Sequence, residues 1–184
     1  MFKYIAFAII LLTSCTVNQQ LGYFEMKPFV PVGVNRVNQP LYVQFSERVS
    51  DQFNWKQSGF TFNVTQLHKS YLYGTRMVYG DVFSEVRLYQ PNDYGFILSY
   101  QLLEPKWTFE ESLYTDSISI LEPVCTIAYS SSLYRNELLM NQTNGSVSVT
   151  QSSLGSFAKP DTIFKEATKQ CLSKIAESHL NRLR

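Results

Sequence analysis

The longest amphipathic pattern closes the chain. Ile163, Phe164, Ala167, Cys171, Leu172, Ile175, His179, Leu180 and Leu183 recur at three- and four-residue steps, which places them on one helical face. Pro160 and Asp161 suit the first turn, where a missing N–H costs nothing and a carboxylate meets the positive end of the dipole. Lys165, Lys169, Lys174 and Arg182 lie mostly off the stripe, interspersed with Glu166 and Glu177. Such a stripe predicts a face packed on a sheet rather than a helix lying in a membrane surface. A second helix is predicted over 41–55, where Leu41, Phe45, Val49 and Phe53 fall four apart. Between 66 and 86 the apolar positions Leu67, Tyr71, Met77, Val78, Val82 and Val86 suit a helix that Gly74 and Gly80 weaken.

The remaining pattern is strand-like. Phe29–Val34 reads as an edge strand interrupted by Pro31, and Phe60–Val64 alternates with period two. Pro91-Asn92-Asp93 marks a turn, followed by an aromatic and branched run over Tyr94–Leu103 that Trp107–Glu111 prolongs beyond Pro105. Ser117–Tyr129 and Ser132–Met140 read as two further strands. Asn144-Gly145 carries the strongest hairpin signal and leads into the alternating Ser146–Thr150. These elements predict an α+β domain over 23–184, a mainly antiparallel sheet with helices on one face and a long C-terminal amphipathic helix.

The N-terminus changes the picture most. Lys3 precedes a short apolar run, Tyr4–Leu12, too short to span roughly 30 Å of hydrocarbon but matching a secretory signal. The run ends in Leu12-Thr13-Ser14-Cys15, which resembles a bacterial lipobox. That resemblance implies a signal peptide over 1–14, lipid on Cys15 and a short polar tether over 15–22. Two or more acyl chains, at about 0.8 kcal/mol per buried methylene, give stable anchoring. Thr16 rather than Asp follows Cys15. By the same resemblance this favours the outer membrane, with the domain facing the periplasm.

The full chain has sixteen Lys+Arg and fifteen Asp+Glu; losing Lys3 with the signal leaves fifteen of each. A neutral chain without a block of like charge argues against nucleic-acid binding. With Cys15 committed to lipid, Cys125 and Cys171 remain. They are read either as a disulfide in an oxidising compartment or as two buried free thiols.

Within the folded part, Phe83-Ser84-Glu85-Val86, Pro91-Asn92-Asp93-Tyr94 and Gly95-Phe96-Ile97-Leu98 precede the final amphipathic helix. This order resembles the auxiliary lipoproteins of ABC-type envelope lipid transporters, and more loosely the lipoprotein of lipopolysaccharide assembly. The resemblance implies a non-catalytic protein that binds a partner protein or a lipid within an envelope complex.

Candidate chemistry is sparse. His68 and His179 are the only histidines, and the sequence holds no HExxH, CxxC, GxSxG or Walker pattern. Glu110, Glu111 and Asp116 suit a strand end as well as an acid pair. No metal or cofactor is expected, and no enzyme. Sequons at Asn63, Asn141 and Asn144 are read as chance in a bacterial protein. Twelve Tyr and thirteen Phe stand out. Tyr71, Tyr73 and Tyr79 lie close together and are read as a candidate interaction surface, since a ring with a polar tip suits an interface.

Overall fold

The structure is a computed structural model and describes residues 17–27, 33–57, 60–115, 118–151, 154 and 159–183. The signal segment, Cys15, Asp116 and most of the expected strand Phe29–Val34 lie outside the described residues. The elements are β1 (Val17–Leu21), β2 (Leu41–Phe45), β3 (Phe53–Gln57), β4 (Phe60–Val64), α1 (Leu67–Tyr79), β5 (Val86–Leu88), β6 (Phe96–Thr115), β7 (Ile118–Arg135), β8 (Leu138–Thr150) and α2 (Pro160–Leu180). They form a three-stranded sheet ordered β1-β4-β3 and a five-stranded sheet ordered β5-β2-β6-β7-β8. The antiparallel pairs β3/β4, β6/β7 and β7/β8 carry most of the register, whereas β1/β4, β2/β5 and β2/β6 are parallel. The α+β class holds.

One register pair shows that both helices cover the same face. Tyr100 on β6 lies opposite Ser131 on β7, so their side chains point the same way. The Tyr100 hydroxyl bonds Thr75 of α1 at 2.8 Å, and Ser131 bonds His179 of α2 at 2.8 Å. Thr75 Oγ1 gives its own hydrogen to the Tyr71 carbonyl, so Tyr100 is the donor. Leu98, Ile127, Leu133, Phe164, Ile175 and Leu180 fill the layer between sheet and helices and are fully buried. The small sheet closes one end through aromatic rings. Phe62 lies 5.2 Å from Trp107 and 5.5 Å from Phe164, and Trp55 lies 5.7 Å from Phe109. α1 meets α2 at Gly74, where a Cβ would come within 2.5 Å of Leu172 Cδ1.

Several local expectations are corrected. The helix predicted over 41–55 is two strands, β2 and β3, joined by a loop. A spacing of four is also a multiple of two, and the branched and aromatic Val43, Phe53 and Trp55 favour the pleat. Residues 17–21, expected within a polar tether, pair in parallel with β4 as strand β1. The helix of 66–86 stops at Tyr79, so Val82 and Val86 are not part of it.

Asn144-Gly145 is not a hairpin turn but the middle of β8. The turn lies at Asn136-Glu137, both left-handed with φ of 49° and 68°. Gly145 instead makes room for its cross-strand neighbour: a Cβ there would meet the Tyr129 hydroxyl at 2.8 Å. The two strands expected on either side of Ser130-Ser131 are joined through β7, because Ser130 bonds Gln101 on β6 and Ser131 bonds His179 on α2. Pro105 is tolerated because β2 leaves β6 after Tyr100, so the strand is an edge there.

Candidate binding groove and a buried histidine network

The same departure of β2 opens a partly apolar recess. From Leu102 onward β6 has lost its β2 neighbour, and a bulge between Tyr100 and Leu102 re-aims its side chains. The loop between β2 and β3 folds back over this edge. Its Ser46 donates backbone N–H to Tyr100 O at 3.0 Å and its hydroxyl to Gln101 O at 3.0 Å. Between the loop, the start of α1 and β6 lies a groove of about 460 Å³, floored by Phe53, Leu67, Leu102, Leu103 and Pro105 with Arg48 at its rim. Arg48 also borders a neighbouring recess of about 510 Å³ beside Phe45 and Gln101.

His68 fastens that loop. Its Nε2 lies 2.6 Å from the Val49 carbonyl, an obligate acceptor, so Nε2 carries the hydrogen. Its ring stacks on Phe45 at 4.4 Å and 3°, and its backbone N–H donates to Asp51 Oδ1 at 2.8 Å. The nearest carboxylate approach to Nδ1 is the Asp51 contact at 3.9 Å. This geometry positions a loop; it does not prepare a base.

Among the described residues, His179 forms the one arrangement that looks catalytic. Ser131 Oγ lies 2.8 Å from Nε2, and Asn141 Nδ2 lies 3.2 Å from Nδ1. The bonding polarity, however, is wrong for catalysis. Asn141 Nδ2 donates to the Ser178 carbonyl at 3.0 Å, which fixes the amide as a donor toward His179. Nδ1 is then the acceptor and Nε2–H donates to Ser131, so the imidazole lone pair faces away from the serine. Ser131 and His179 are both fully buried, out of reach of a substrate. Desolvation lowers the His179 pKa to about 4, which keeps the ring neutral. The triad ties α2 to β7 and β8.

The other candidate residues are dispersed. Glu110 and Glu111 are exposed and adjacent on β6, so they point to opposite faces and cannot converge. Among the described residues no His, Cys, Asp and Glu group could hold a metal ion. Cys125 on β7 and Cys171 on α2 are buried with free thiols. Burial pushes Cys125 up to about 12, and pushes Cys171 well up with a further contribution from Cys125. Such thiols are inert nucleophiles.

The tyrosine surface is corrected in two of its three members. Tyr71 and Tyr79 are 0% and 1% exposed, because they sit on the side of α1 that packs on the core. Their hydroxyls have no hydrogen-bond partner among the described residues, and desolvation raises both phenols well above their ordinary range. Tyr73 does reach the surface, where its ring meets Tyr23 edge-on at 6.1 Å and both hydroxyls reach the Glu25 carboxylate at 3.3 Å. Lys69 Nζ lies 4.6 Å above the Tyr23 ring. Sequence gives Arg48 and Ser131 no site role, and marks Asn141 only as a chance sequon. The serine run resembles a loop, and nothing local marks Arg48 as a groove rim.

No protein-family model matches the chain, and no curated protein matches it. Solved structures do. A crystal structure of a Xanthomonas campestris protein of the DUF330 family is similar over 89% of this chain and 96% of that one, with a TM-score of 0.56. The fold is shared. At 13% identity the likeness stops there. Weaker similarity extends to a minor lipoprotein from Acinetobacter baumannii (TM-score 0.37, 8% identity, 80% of this chain and 92% of that one). It extends also to an uncharacterized lipoprotein B from Nitrosomonas europaea (TM-score 0.46, 10% identity, 85% and 93%). No helix among the described residues is long and apolar enough to cross a membrane.

Proposed function

We propose that this chain is a lipid-anchored lipoprotein of the outer membrane, facing the periplasm, that serves as a non-catalytic accessory or assembly component of an envelope complex. The observation that carries the reading is the segment Leu12-Thr13-Ser14-Cys15 followed by strand β1 from Val17. With lipid on Cys15, the start of the small sheet sits about 7 Å of chain from the anchor. That spacing holds the domain at its bilayer and limits it to partners at the same membrane. The neutral polarity of the Ser131–His179–Asn141 network and its burial support a binding role over catalysis.

Metabolic labelling with an alkyne fatty acid tests the anchor. Label is expected on the wild-type chain and lost in Cys15→Ser; label retained in that variant refutes the reading. Crosslinking in intact cells followed by pull-down tests the accessory role, with a stoichiometric envelope protein as the expected outcome.

A second reading, binding of a lipid or other hydrophobic ligand, is favoured by the groove of Phe53, Leu67, Leu102, Leu103 and Pro105. An apolar floor suits an acyl chain, and Arg48 and Glu104 in the same lining offer both a cation and an anion to a polar head. Mass spectrometry of the protein from a mild detergent extract is expected to reveal co-purified lipid. Leu102→Glu is expected to abolish that lipid without unfolding the chain.

A further inference from the structure

Sheet edges expose unpaired backbone groups, and proteins blunt them with short strands, charges or proline. Three of the four terminal strands follow that rule. β5 is three residues long and carries Arg87; β3 is five residues long and carries Lys56; β1 is five residues long, and its Gln19 is held by Asp161 at 3.0 Å. β8 does not. It runs for thirteen residues, Leu138–Thr150, without a charge or a proline, in a chain of which 17% is charged. No strand among the described residues pairs its outer side. Its first three residues, Leu138, Leu139 and Met140, are 72%, 54% and 40% exposed, a consecutive apolar run on the surface.

We infer that the β8 edge is the interface between two copies of this chain, joined antiparallel about a twofold axis at Thr143. The neutrality of the strand selects this occupant. A charged edge would repel its own copy, since like charges directly opposite are destabilising; Leu138–Ser148 meets itself with no such term. The antiparallel arrangement lays Leu138–Met140 of each copy beside Ser146–Ser148 of the other, which covers part of the exposed apolar run. It also joins the two five-stranded sheets into one ten-stranded sheet. The contact is isologous and therefore closes at two copies. The bulge at Leu133/Tyr134 and the left-handed turn at Asn136-Glu137 end the edge on one side.

Cysteine trapping in intact cells tests this directly. Asn144→Cys, on an exposed position near the axis, is expected to give a disulfide-linked dimer on mild oxidation. The wild type and Glu104→Cys, exposed on β6 away from β8, are expected to stay single. In light scattering on the full chain in detergent, the wild type is expected to carry two chains per particle. Asn144→Lys with Ser146→Lys is expected to weaken association at least about tenfold, with an unchanged circular-dichroism melt of the single chain. A wild type with one chain per particle, or a lysine variant that still dimerises, overturns the inference. So does a trapped product joining Asn144→Cys to a different protein, which would assign the edge to another partner.

Discussion

Ser130, Ser131 and Ser132 are consecutive on β7, yet they belong to two different environments. Ser131 points to the helix-covered face, where it is fully buried and bound to His179. Ser130 and Ser132 point to the opposite face, where both bond the Gln101 amide, at 3.3 and 2.8 Å. The helix-covered face is apolar around a few polar bonds, and those of Tyr100 and Ser131 each join the sheet to a helix. The opposite face is lined by short polar groups such as Thr126 and Ser148, which bond each other at 2.8 Å within the sheet. The same residue type therefore joins sheet to helix on one face and strand to strand within the sheet on the other. Strand periodicity alone divides the two roles.

The comparison predicts a steep gradient of mutational effect. Phe164→Ala removes a fully buried ring that touches Phe24, Phe53 and Phe62, and is expected to cost about 3–5 kcal/mol in urea unfolding. A loss below about 1 kcal/mol would mean that the small sheet is not anchored on α2.

Acid tests the His179 lock. The folded pKa of about 4 lies below the unfolded value of 6.5, so the unfolded chain binds the extra proton between them. Stability from this site is complete above pH 6.5 and is lost as the pH falls toward 4, by about 3 kcal/mol. His179→Leu is expected to remove that part of the slope; a slope unchanged in the variant would assign it to other groups.

Gly74→Val drives a branched side chain into Leu172 and Met26 and is expected to cost about 1–3 kcal/mol by overpacking. Calorimetry should then show a lowered melting temperature. Glu137→Gly, which relieves a left-handed non-glycine residue, is expected to stabilise the β7–β8 turn by about 1 kcal/mol. On the polar face, Gln101→Ala is expected to change stability by less than about 1 kcal/mol. A larger loss there would erase the contrast between the faces.

The candidate site was less legible than the fold. The α2 stripe was readable because nine apolar positions obey one period. That stripe included His179, but not the partners that fix its tautomer, since Ser131 and Asn141 lie 48 and 38 residues away in sequence. The region 41–55 was misread because its four-residue spacing serves both helix and strand, and only pairing of Leu41–Phe45 with Phe96–Tyr100 decides between them. Tyr71 and Tyr79 were misassigned to a surface because clustering in sequence says nothing about which side of α1 the sheet covers.

By itself, then, the sequence determined the α+β class, the final helix, strand β4 and the neutral balance of charge, all consequences of local period and composition. It also carries the lipobox-like segment that motivates an anchor at Cys15. Tertiary structure alone decided that Val17–Leu21 is a strand, that β8 runs straight through Asn144-Gly145, and that the groove opens where β2 leaves β6. Each of these depends on hydrogen bonds or close packing between residues distant in the chain, and such contacts leave no period along it.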